Sequence, residues 1–167
     1  MVTLKKELSD LSRYALSYNE LEKCIKGKVP GLIVGFQEST NAKWSKHIFG
    51  KANVIIILLE LMGQNHWVCC SKTGFFYDSL AYSKAFYKKN FPDFYNFVIM
   101  MKFEWNTFRH QPLLKDSATC GDHVLCRCIH YEMKSNKEFH KWMTSLGIKT
   151  DKVASLICYL ATRKLNI

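Results

Sequence analysis

The sequence predicts an α+β fold in which helices pack against one central sheet, mixed or largely antiparallel. Apolar runs rich in β-branched residues concentrate in the middle third of the chain, whereas the last third carries helical patterns. The 167 residues are enough for one domain, residues 1–167, and we find no internal repeat, low-complexity tract or linker in them. Because 48% of the residues are hydrophobic and 14% are aromatic, disordered and collagen-like classes are excluded.

The first third is predicted to hold two helices and a short extended segment. Apolar residues recur at helical spacing at Leu4, Leu8 and Leu11, and the charged stretch NELEKCIKGK indicates a second helix that ends before Pro30 and Gly31. GLIVGF is typical of a short strand or an extended turn. The polar stretch QESTNAKWSK that follows is the most loop-like part of this third and could form an entrance loop.

Consecutive antiparallel strands are predicted in the middle of the chain. ANVIIILLEL is β-branched and apolar, HWVCCSK follows a turn at Gly63 to Asn65, and GFFYDSL follows a turn at Ser71 to Gly74. The stretch YSKAFYKKNF is then expected to be a helix. FVIMMKF, residues 97–103, has the apolar richness of a buried fourth strand.

Three helices are predicted in the last third. CGDHVLCRCIHYEMK should begin a helix near Cys120, and SNKEFHKWMTSLG should form a second, capped by Ser135 or Asn136 and stopped at Gly147. TDKVASLICYLATRKL should form the third. Its apolar stripe consists of Val153, Leu156, Ile157 and Leu160.

A strong positive charge is the main feature of the composition. The chain carries 24 Lys and Arg against 14 Asp and Glu, a net charge of +10, so its surface should attract polyanions. Residues 81–115 carry six basic and two acidic side chains, and residues 134–167 carry seven and two. Two interpretations remain open: a solvated cationic surface with its aromatic residues turned inward, or a DNA-binding surface. The aromatic residues interleaved in the first stretch are Tyr82, Phe86, Tyr87 and Phe91.

The cysteines and the N-terminus indicate a reducing compartment. Seven cysteines form an odd set without regular spacing, and a chain of this length can bury a core without disulfides. The opening MVTLKKELSDLSRY has charges where a secretory signal needs its apolar stretch, and the longest apolar run, Val54 to Leu59, stops at Glu60. We therefore expect a protein that is neither secreted nor membrane-spanning.

Four residues form an ordered set with the chemistry of a cysteine nucleophile: His66, Asp78, Gln111 and Cys120. Cys120 opens a predicted helix, where unpaired backbone N–H groups stabilise a thiolate. His66 would hold the proton and pass it to a leaving amine, while Asp78 would accept a hydrogen bond from the other ring nitrogen and fix the tautomer. Gln111 and the backbone N–H of Cys120 could donate to an oxyanion. Gly121 would leave room for the backbone of a substrate.

Other cysteines and histidines have simpler interpretations. A single buried cysteine is usually a small core residue, and Cys69 and Cys70 alternate along a strand, so one should be core and the other outward. His47 and His110 do not open a strand that precedes a well-placed acid.

A zinc site is the alternative for four clustered residues, which we weigh against simple helix packing. On a helix three of them could share a face, but Cys128 would point away and no CxxC motif is present. We therefore expect Val124, Leu125, Cys128 and Ile129 to pack against the sheet, with His123 and His130 near its edge. The four candidate ligands are His123, Cys126, Cys128 and His130.

The strings HWV(x8)YDSL and Q(x5)S(x2)CG, the second at Gln111, Ser117, Cys120 and Gly121, carry a family resemblance. They resemble the cysteine proteases that include the adenovirus endopeptidase (adenain) family and the SUMO-specific proteases, which share the order His, acid, Gln, Cys. HW and YDSL are similar to the SUMO-protease side, whereas DSATCG and HVLCRCIH are similar to the adenain side. The similarity is specific over residues 63–131.

The resemblance implies a papain-like fold in rearranged order and a role for each matched residue. Cys120 would be the nucleophile, His66 its partner, Asp78 the orienting acid and Gln111 an oxyanion donor, with Trp67 walling the substrate groove. The gap of nine residues between Gln111 and Cys120 is longer than in these relatives. The intervening residues must therefore bulge, or backbone donors must carry the oxyanion role.

The resemblance also implies substrates and partners. It implies cleavage of viral or transposon precursor proteins at glycine-containing sites during particle maturation, in the virion and in the nucleus or a cytoplasmic viral factory. DNA, bound non-specifically through its phosphates, and an activating peptide would be the cofactors, with no metal, no organic cofactor and no membrane partner. We expect a monomer. The alternatives are an isopeptidase that removes SUMO or ubiquitin-like tags, and a non-enzymatic basic DNA-binding module.

Overall fold

A computed structural model of the protein describes residues 15–27, 29–61, 63–112 and 118–163. The helix predicted from Leu4, Leu8 and Leu11 lies outside these residues, as does Ser117. Within the described part, five strands form one sheet and six helices flank it. The predicted α+β class with a mixed sheet is therefore confirmed.

The five strands lie in the sheet in the order in which they occur along the chain. The two outer pairings, β1 with β2 and β4 with β5, are parallel, and the two inner pairings are antiparallel. The predicted meander of three antiparallel strands is thus confirmed as β2, β3 and β4. The strands are β1 (Val34–Glu38), β2 (Val54–Leu61), β3 (Gln64–Ser71), β4 (Phe75–Tyr77) and β5 (Glu104–Trp105).

The helices begin where the sequence offers a cap. Ser17, Ser83 and Ser135 precede three of them, and each side chain accepts a backbone N–H of the first turn. A proline in the first turn begins a fourth helix. The helices are α1 (Tyr18–Ile25), α2 (Lys84–Asn90), α3 (Pro92–Met100), α4 (Cys120–Ile129), α5 (Asn136–Ser145) and α6 (Thr150–Arg163). No described helix is both long and apolar enough to span a membrane.

Both faces of the sheet are covered. One face packs against α1, α4, α5 and α6, and the other packs against α2 and α3. Cys69 belongs to the first apolar cluster and Cys70 to the second, and both are fully buried. The prediction that one of these cysteines faces outward is wrong, because alternation along a strand exposes a side chain only when one face of the sheet is open.

The predicted fourth strand over residues 97–103 is also wrong. Most of this stretch belongs to α3, which runs from Pro92 to Met100. The strand that pairs with the sheet, Glu104–Trp105, begins after the stretch ends. Phe94, Phe97 and Val98 form the buried face of the helix, while Ile99 and Met100 are 44% and 55% exposed. A short apolar run cannot distinguish a strand from a helix, and the helical spacing only becomes visible when Phe94 is included.

The apolar stripe predicted for the last helix is partly wrong. Val153 is buried, but Leu160 is 53% exposed and Leu156 is half-buried. The buried face instead includes Ala154 and Cys158, which pack against α1 and α4. Small side chains on this face allow the helices to approach closely. The buried stripe is therefore rotated relative to the stripe that the large apolar residues of the helix suggest.

Candidate active site

A tight hairpin brings His66 and Asp78 together. His66 lies near the start of β3 and Asp78 follows the last residue of β4, while the backbone N–H of Gly74 donates to the carbonyl of Ser71 at 3.0 Å to close the turn. Nε2 of His66 donates to Oδ1 of Asp78 at 2.7 Å. The hairpin therefore produces the histidine–carboxylate pair that the spacing of twelve residues predicts.

Asp78 is almost completely buried, and its carboxylate accepts three further hydrogen bonds. The N–H of Leu80 donates to Oδ1 at 2.9 Å, while the N–H of Tyr82 and the hydroxyl of Tyr87 donate to Oδ2 at 3.0 and 2.9 Å. Burial opposes ionisation, but the hydrogen bond and charge of His66, with these backbone donors, lower the pKa of Asp78 below its usual value. The acid is thus held as a carboxylate with a fixed orientation.

Cys120 is the first residue of α4, and its thiol interacts with the imidazole of His66 closely enough to raise the pKa of that imidazole. Because Nε2 of His66 is engaged with Asp78, Nδ1 is the ring nitrogen left to interact with the thiol. The preceding residue, Thr119, does not cap α4 with its side chain, and its hydroxyl donates to the carboxylate of Asp151 in α6. The start of α4 thus meets the hairpin of β3 and β4 at the imidazole of His66.

The surroundings of His66 favour its protonated form. Burial alone would lower the pKa of this imidazole, but the hydrogen bond to Asp78 and the contact with Cys120 raise it to about 10. The arrangement can hold a thiolate beside an imidazolium, which is the reactive form of a cysteine–histidine pair.

A groove of about 650 Å³ opens beside Cys120. Trp67, next to His66 on β3, lies in its wall, and the indole Nε1 donates to the carbonyl of Leu16 at 3.0 Å. This bond holds the segment before α1 against the site. The described lining consists of Ala15, Leu16, Ser17, Tyr18, Phe36, Gln37, Glu38, Asn41, Leu58, Asn65, Trp67 and Cys120.

The space beside Gly121 is filled by the chain itself. A Cβ atom at this position would lie 2.9 Å from the Cβ of Leu16, closer than two side chains pack. Gly121 is therefore required where the segment before α1 crosses the start of α4. The sequence interpretation, in which this glycine leaves room for a substrate backbone, must be corrected on this point.

Gln111 is buried close to the His66–Asp78 hairpin. Its Oε1 accepts from the hydroxyl of Ser79 at 2.8 Å, and its backbone N–H donates to the carbonyl of Ser79 at 3.0 Å. These bonds fix the loop of Gln111 to the residue that follows Asp78, and Nε2 is the donor end of the amide. Residues 113–117 lie outside the described part, so the oxyanion role of Gln111 stays a prediction.

The residues of the zinc alternative are occupied by other contacts. Nε2 of His123 lies 3.1 Å from Oδ1 of Asp151, Sγ of Cys126 lies 3.9 Å from Sδ of Met143, and Nδ1 of His130 donates to the carbonyl of Cys126. His123 is fully buried, so the prediction that it lies near the edge of the sheet is wrong. Within the described residues no group of three or more His, Cys, Asp or Glu is arranged to hold a metal.

The two other histidines considered from the sequence, His110 and His47, have different surroundings. His110 is buried, with Nδ1 2.9 Å from the hydroxyl of Tyr77 and Nε2 2.9 Å from Nδ1 of His140. His47 is an exposed residue in the turns between β1 and β2.

Three residues of the site environment were not identified from the sequence: Leu16, Tyr87 and Asp151. Leu16 accepts from Trp67 and fills the space beside Gly121, Tyr87 donates to Asp78, and Asp151 accepts from Thr119. None of these contacts follows from a spacing pattern in the sequence.

Comparisons with known proteins give no independent assignment: no protein-family model, no curated protein and no solved structure matches the chain. The geometry of the site and the motifs that surround it are therefore the features that point to a function.

Proposed function

We propose that the protein is a cysteine endopeptidase of the adenain-like type, with Cys120 as nucleophile, His66 as acid–base partner and Asp78 as orienting acid. One observation carries the proposal: the imidazole of His66 contacts the thiol of Cys120 while its Nε2 donates to the buried Asp78 at 2.7 Å. Nucleophile, base and orienting acid are thus in mutual reach, which is the arrangement that nucleophilic acyl transfer requires.

The proposed reaction proceeds in two steps. The Cys120 thiolate attacks the carbonyl carbon of a peptide bond, and the oxyanion accepts hydrogen bonds from the backbone N–H of Cys120 and from Gln111. The imidazolium of His66 gives its proton to the departing amine, leaving a thioester on Cys120. His66 then takes a proton from water, whose oxygen attacks the thioester, releases the carboxylic acid and restores the Cys120 thiolate beside the protonated His66.

Glycine-containing precursor proteins of viruses or virus-like transposons are the proposed substrates. The motif resemblance suggests them, and the crowding around the thiol supports a small residue at the cleaved bond. Leu16 and Trp67 line the groove beside Cys120, and Cys120 itself is only 8% exposed. A glycine would fit such a constriction better than a residue with a side chain.

DNA is the proposed cofactor of this endopeptidase. In the first basic stretch the interleaved aromatic residues are buried or half-buried, whereas every described lysine and arginine is exposed. Exposed cationic side chains of this kind suit non-specific contact with phosphates, and the strength of such contact falls steeply with salt. The exposed basic residues are Lys84, Lys88, Lys89, Lys102 and Arg109.

The test is cleavage of an internally quenched library of glycine-containing peptides, with and without duplex DNA. We expect the wild-type protein to cleave peptides and to be stimulated by DNA, while Cys120→Ala and His66→Ala lose on the order of 10³-fold or more in rate. His47→Ala is the matched control, since His47 is exposed and is not among the residues that line the groove beside Cys120. Iodoacetamide should modify Cys120 before the other six cysteines, which are 0% to 3% exposed.

The possible results separate the proposal from its alternatives. Precursor capsid proteins and a SUMO conjugate are supplied in parallel, and preferential cleavage of the conjugate would identify an isopeptidase. If folded wild-type protein and Cys120→Ala are equally inert, and alkylation of Cys120 does not depend on His66, the triad is coincidental. DNA binding would then be the function to pursue.

A further inference from the structure

The groove beside Cys120 changes character along its length. Near the thiol its walls are apolar, formed by Leu16, which meets Gly121, and by Trp67, which donates to the carbonyl of Leu16. Toward the other end it is lined by Glu38 and Asn41, and Nδ2 of Asn41 donates to Oε2 of Glu38 at 3.0 Å. A second, smaller depression continues from this end and shares Glu38 and two other lining residues with the groove.

Two carboxylates mark that far end. The smaller depression is lined by both Glu38 and Glu60, and both residues are exposed. Glu38 pairs in register with Leu58, and Glu60 follows Leu58 by two residues, so all three side chains lie on the same face of the sheet. The strand register therefore directs the two carboxylates to one mouth of the groove.

The charge of the groove is opposite to that of the molecule. The chain has a net charge of +10, yet no lysine or arginine occurs among the described residues that line either depression. The cationic side chain of a substrate would be repelled by most of the protein surface. It would be attracted by the carboxylates of Glu38 and Glu60 at the far end of the groove.

The strand register also gives the length of the path. Glu38 pairs with Leu58, and Leu58 pairs with Trp67, so Glu38 lies two strands away from the wall of the thiol site. Two strand spacings amount to about 10 Å, which an extended peptide spans with about three residues.

The position of His66 indicates which half of a substrate lies in the groove. In the proposed reaction His66 protonates the departing amine, so the leaving half of the substrate must lie beside this imidazole. His66 is not among the described residues of the groove lining, whereas Cys120 is. The groove therefore suits the acyl half, the residues on the N-terminal side of the cleaved bond.

We propose that Glu38 and Glu60 form a specificity site that binds a lysine or arginine side chain about three residues N-terminal to the cleaved bond of an extended peptide. This inference rests on the proposed endopeptidase function. A preferred substrate would then have a small residue at the cleaved bond, where the groove is narrow near Cys120. It would also have a basic residue at the far end of the groove.

The test uses matched peptides that differ only at the position three residues before the cleaved bond, with Lys, Gln or Glu there. We expect wild-type kcat/KM to be about 3- to 10-fold higher for Lys than for Glu, with a smaller difference at high salt. The double variant Glu38→Lys with Glu60→Lys should reverse the order and favour the Glu peptide. Glu38→Gln with Glu60→Gln should remove the preference and tests the same point with minimal change of shape.

Glu132→Lys provides the control for a general change of charge. Glu132 is exposed in the turn after α4 and lies outside both depressions, so its substitution should leave the Lys preference unchanged. Cleavage by wild type with equal rates for Lys and Glu peptides would overturn the inference and leave the proposed function standing. If wild type cleaves none of the peptides and its Cys120 shows no His66-dependent alkylation, the proposed function fails, and the specificity site fails with it.

Discussion

At the scale of single residues, Asp78 serves two purposes at once. Its Oδ1 accepts from His66, while its Oδ2 accepts from Tyr82 and Tyr87 and so organises the chain that follows β4. The same carboxylate thus orients the imidazole and anchors the loop. Removing its charge should therefore change the proton affinity of His66, while removing one of its loop contacts should not.

Substitution of Asp78 by asparagine tests this division. Burial lowers the pKa of His66, and the hydrogen bond to Asp78 is the largest of the opposing effects that raise it to about 10. In Asp78→Asn the alkaline limb of the kcat/KM profile should therefore move to lower pH. We expect a rate loss on the order of 10²-fold or more at neutral pH. The measurement is kcat/KM for a cleaved peptide across the neutral and alkaline range.

Tyr87→Phe is the matched control for this experiment. It removes one hydrogen bond to Oδ2 but leaves the charge of Asp78 in place, so the alkaline limb should stay near its wild-type position. An unchanged alkaline limb in Asp78→Asn would show that His66 does not depend on this carboxylate.

At the scale of elements, the contact between Leu16 and Gly121 joins the segment before α1 to the start of α4. Trp67 fixes the same segment from the sheet through its bond to the Leu16 carbonyl. One side of the groove is therefore held in place by contacts from β3 and α4, and the groove depends on the close approach at Gly121.

Gly121→Ala should destabilise the fold by about 1–3 kcal/mol, because the added methyl group has no space beside Leu16. Leu16→Gly should also be destabilising, through lost burial. Since it removes the side chain that the new methyl group would meet, the double variant should be more stable than the sum of the two changes predicts. Urea unfolding of the wild type, both single variants and the double variant measures this coupling, and simple additivity would argue against the contact.

The sequence predicted the elements that have their own local signals. The strands β2, β3 and β4, the turn at Ser71 to Gly74 and the helix that begins at Cys120 follow from β-branched apolar runs, turn residues and helical patterns. The pair of His66 and Asp78 could be predicted because a tight hairpin fixes both positions.

The wrong predictions concern residues whose structure or burial depends on neighbours distant in sequence. Residues 97–103 were predicted as a strand because apolar richness does not distinguish a buried helix face from a buried strand. Cys70 and His123 are buried because helices cover both sides of the sheet, and Leu160 is exposed because α6 packs through its small residues. Such packing is decided by the whole fold and leaves no mark in the local pattern.

At the scale of the whole molecule, buried neutral histidines link stability to pH. Burial lowers the pKa of His110 to about 3, with the charges of His123 and His140 acting in the same direction, and burial also lowers the pKa of His123. An unfolded chain binds protons at these histidines below about pH 6.5, whereas the folded protein resists protonation. Their contribution to stability is complete above that pH and is lost as the pH falls toward 3.

The free energy of unfolding should therefore fall as the pH drops from about 6.5 toward about 3, by up to about 1.4 kcal/mol per pH unit for each such histidine. Asp122, whose pKa burial raises to about 6, opposes this trend because its protonation favours the folded state. His110→Gln should flatten the acid side of the stability curve, whereas the exposed His47→Gln should not. Urea unfolding at several pH values measures both, and identical slopes in the two variants would contradict the assignment.

The order of strands in the sheet also bears on how the chain would mature during synthesis. His66 and Asp78 both belong to the local meander, which needs no residue beyond position 78 to pair its strands, whereas Cys120 arrives with a helix that must dock later. Contacts close in sequence form before distant ones because their loops close at lower entropic cost. A nascent chain on the ribosome would thus carry the His66–Asp78 pair before it carries the proposed nucleophile, and the proposed cleavage could begin only after the last third of the chain had emerged.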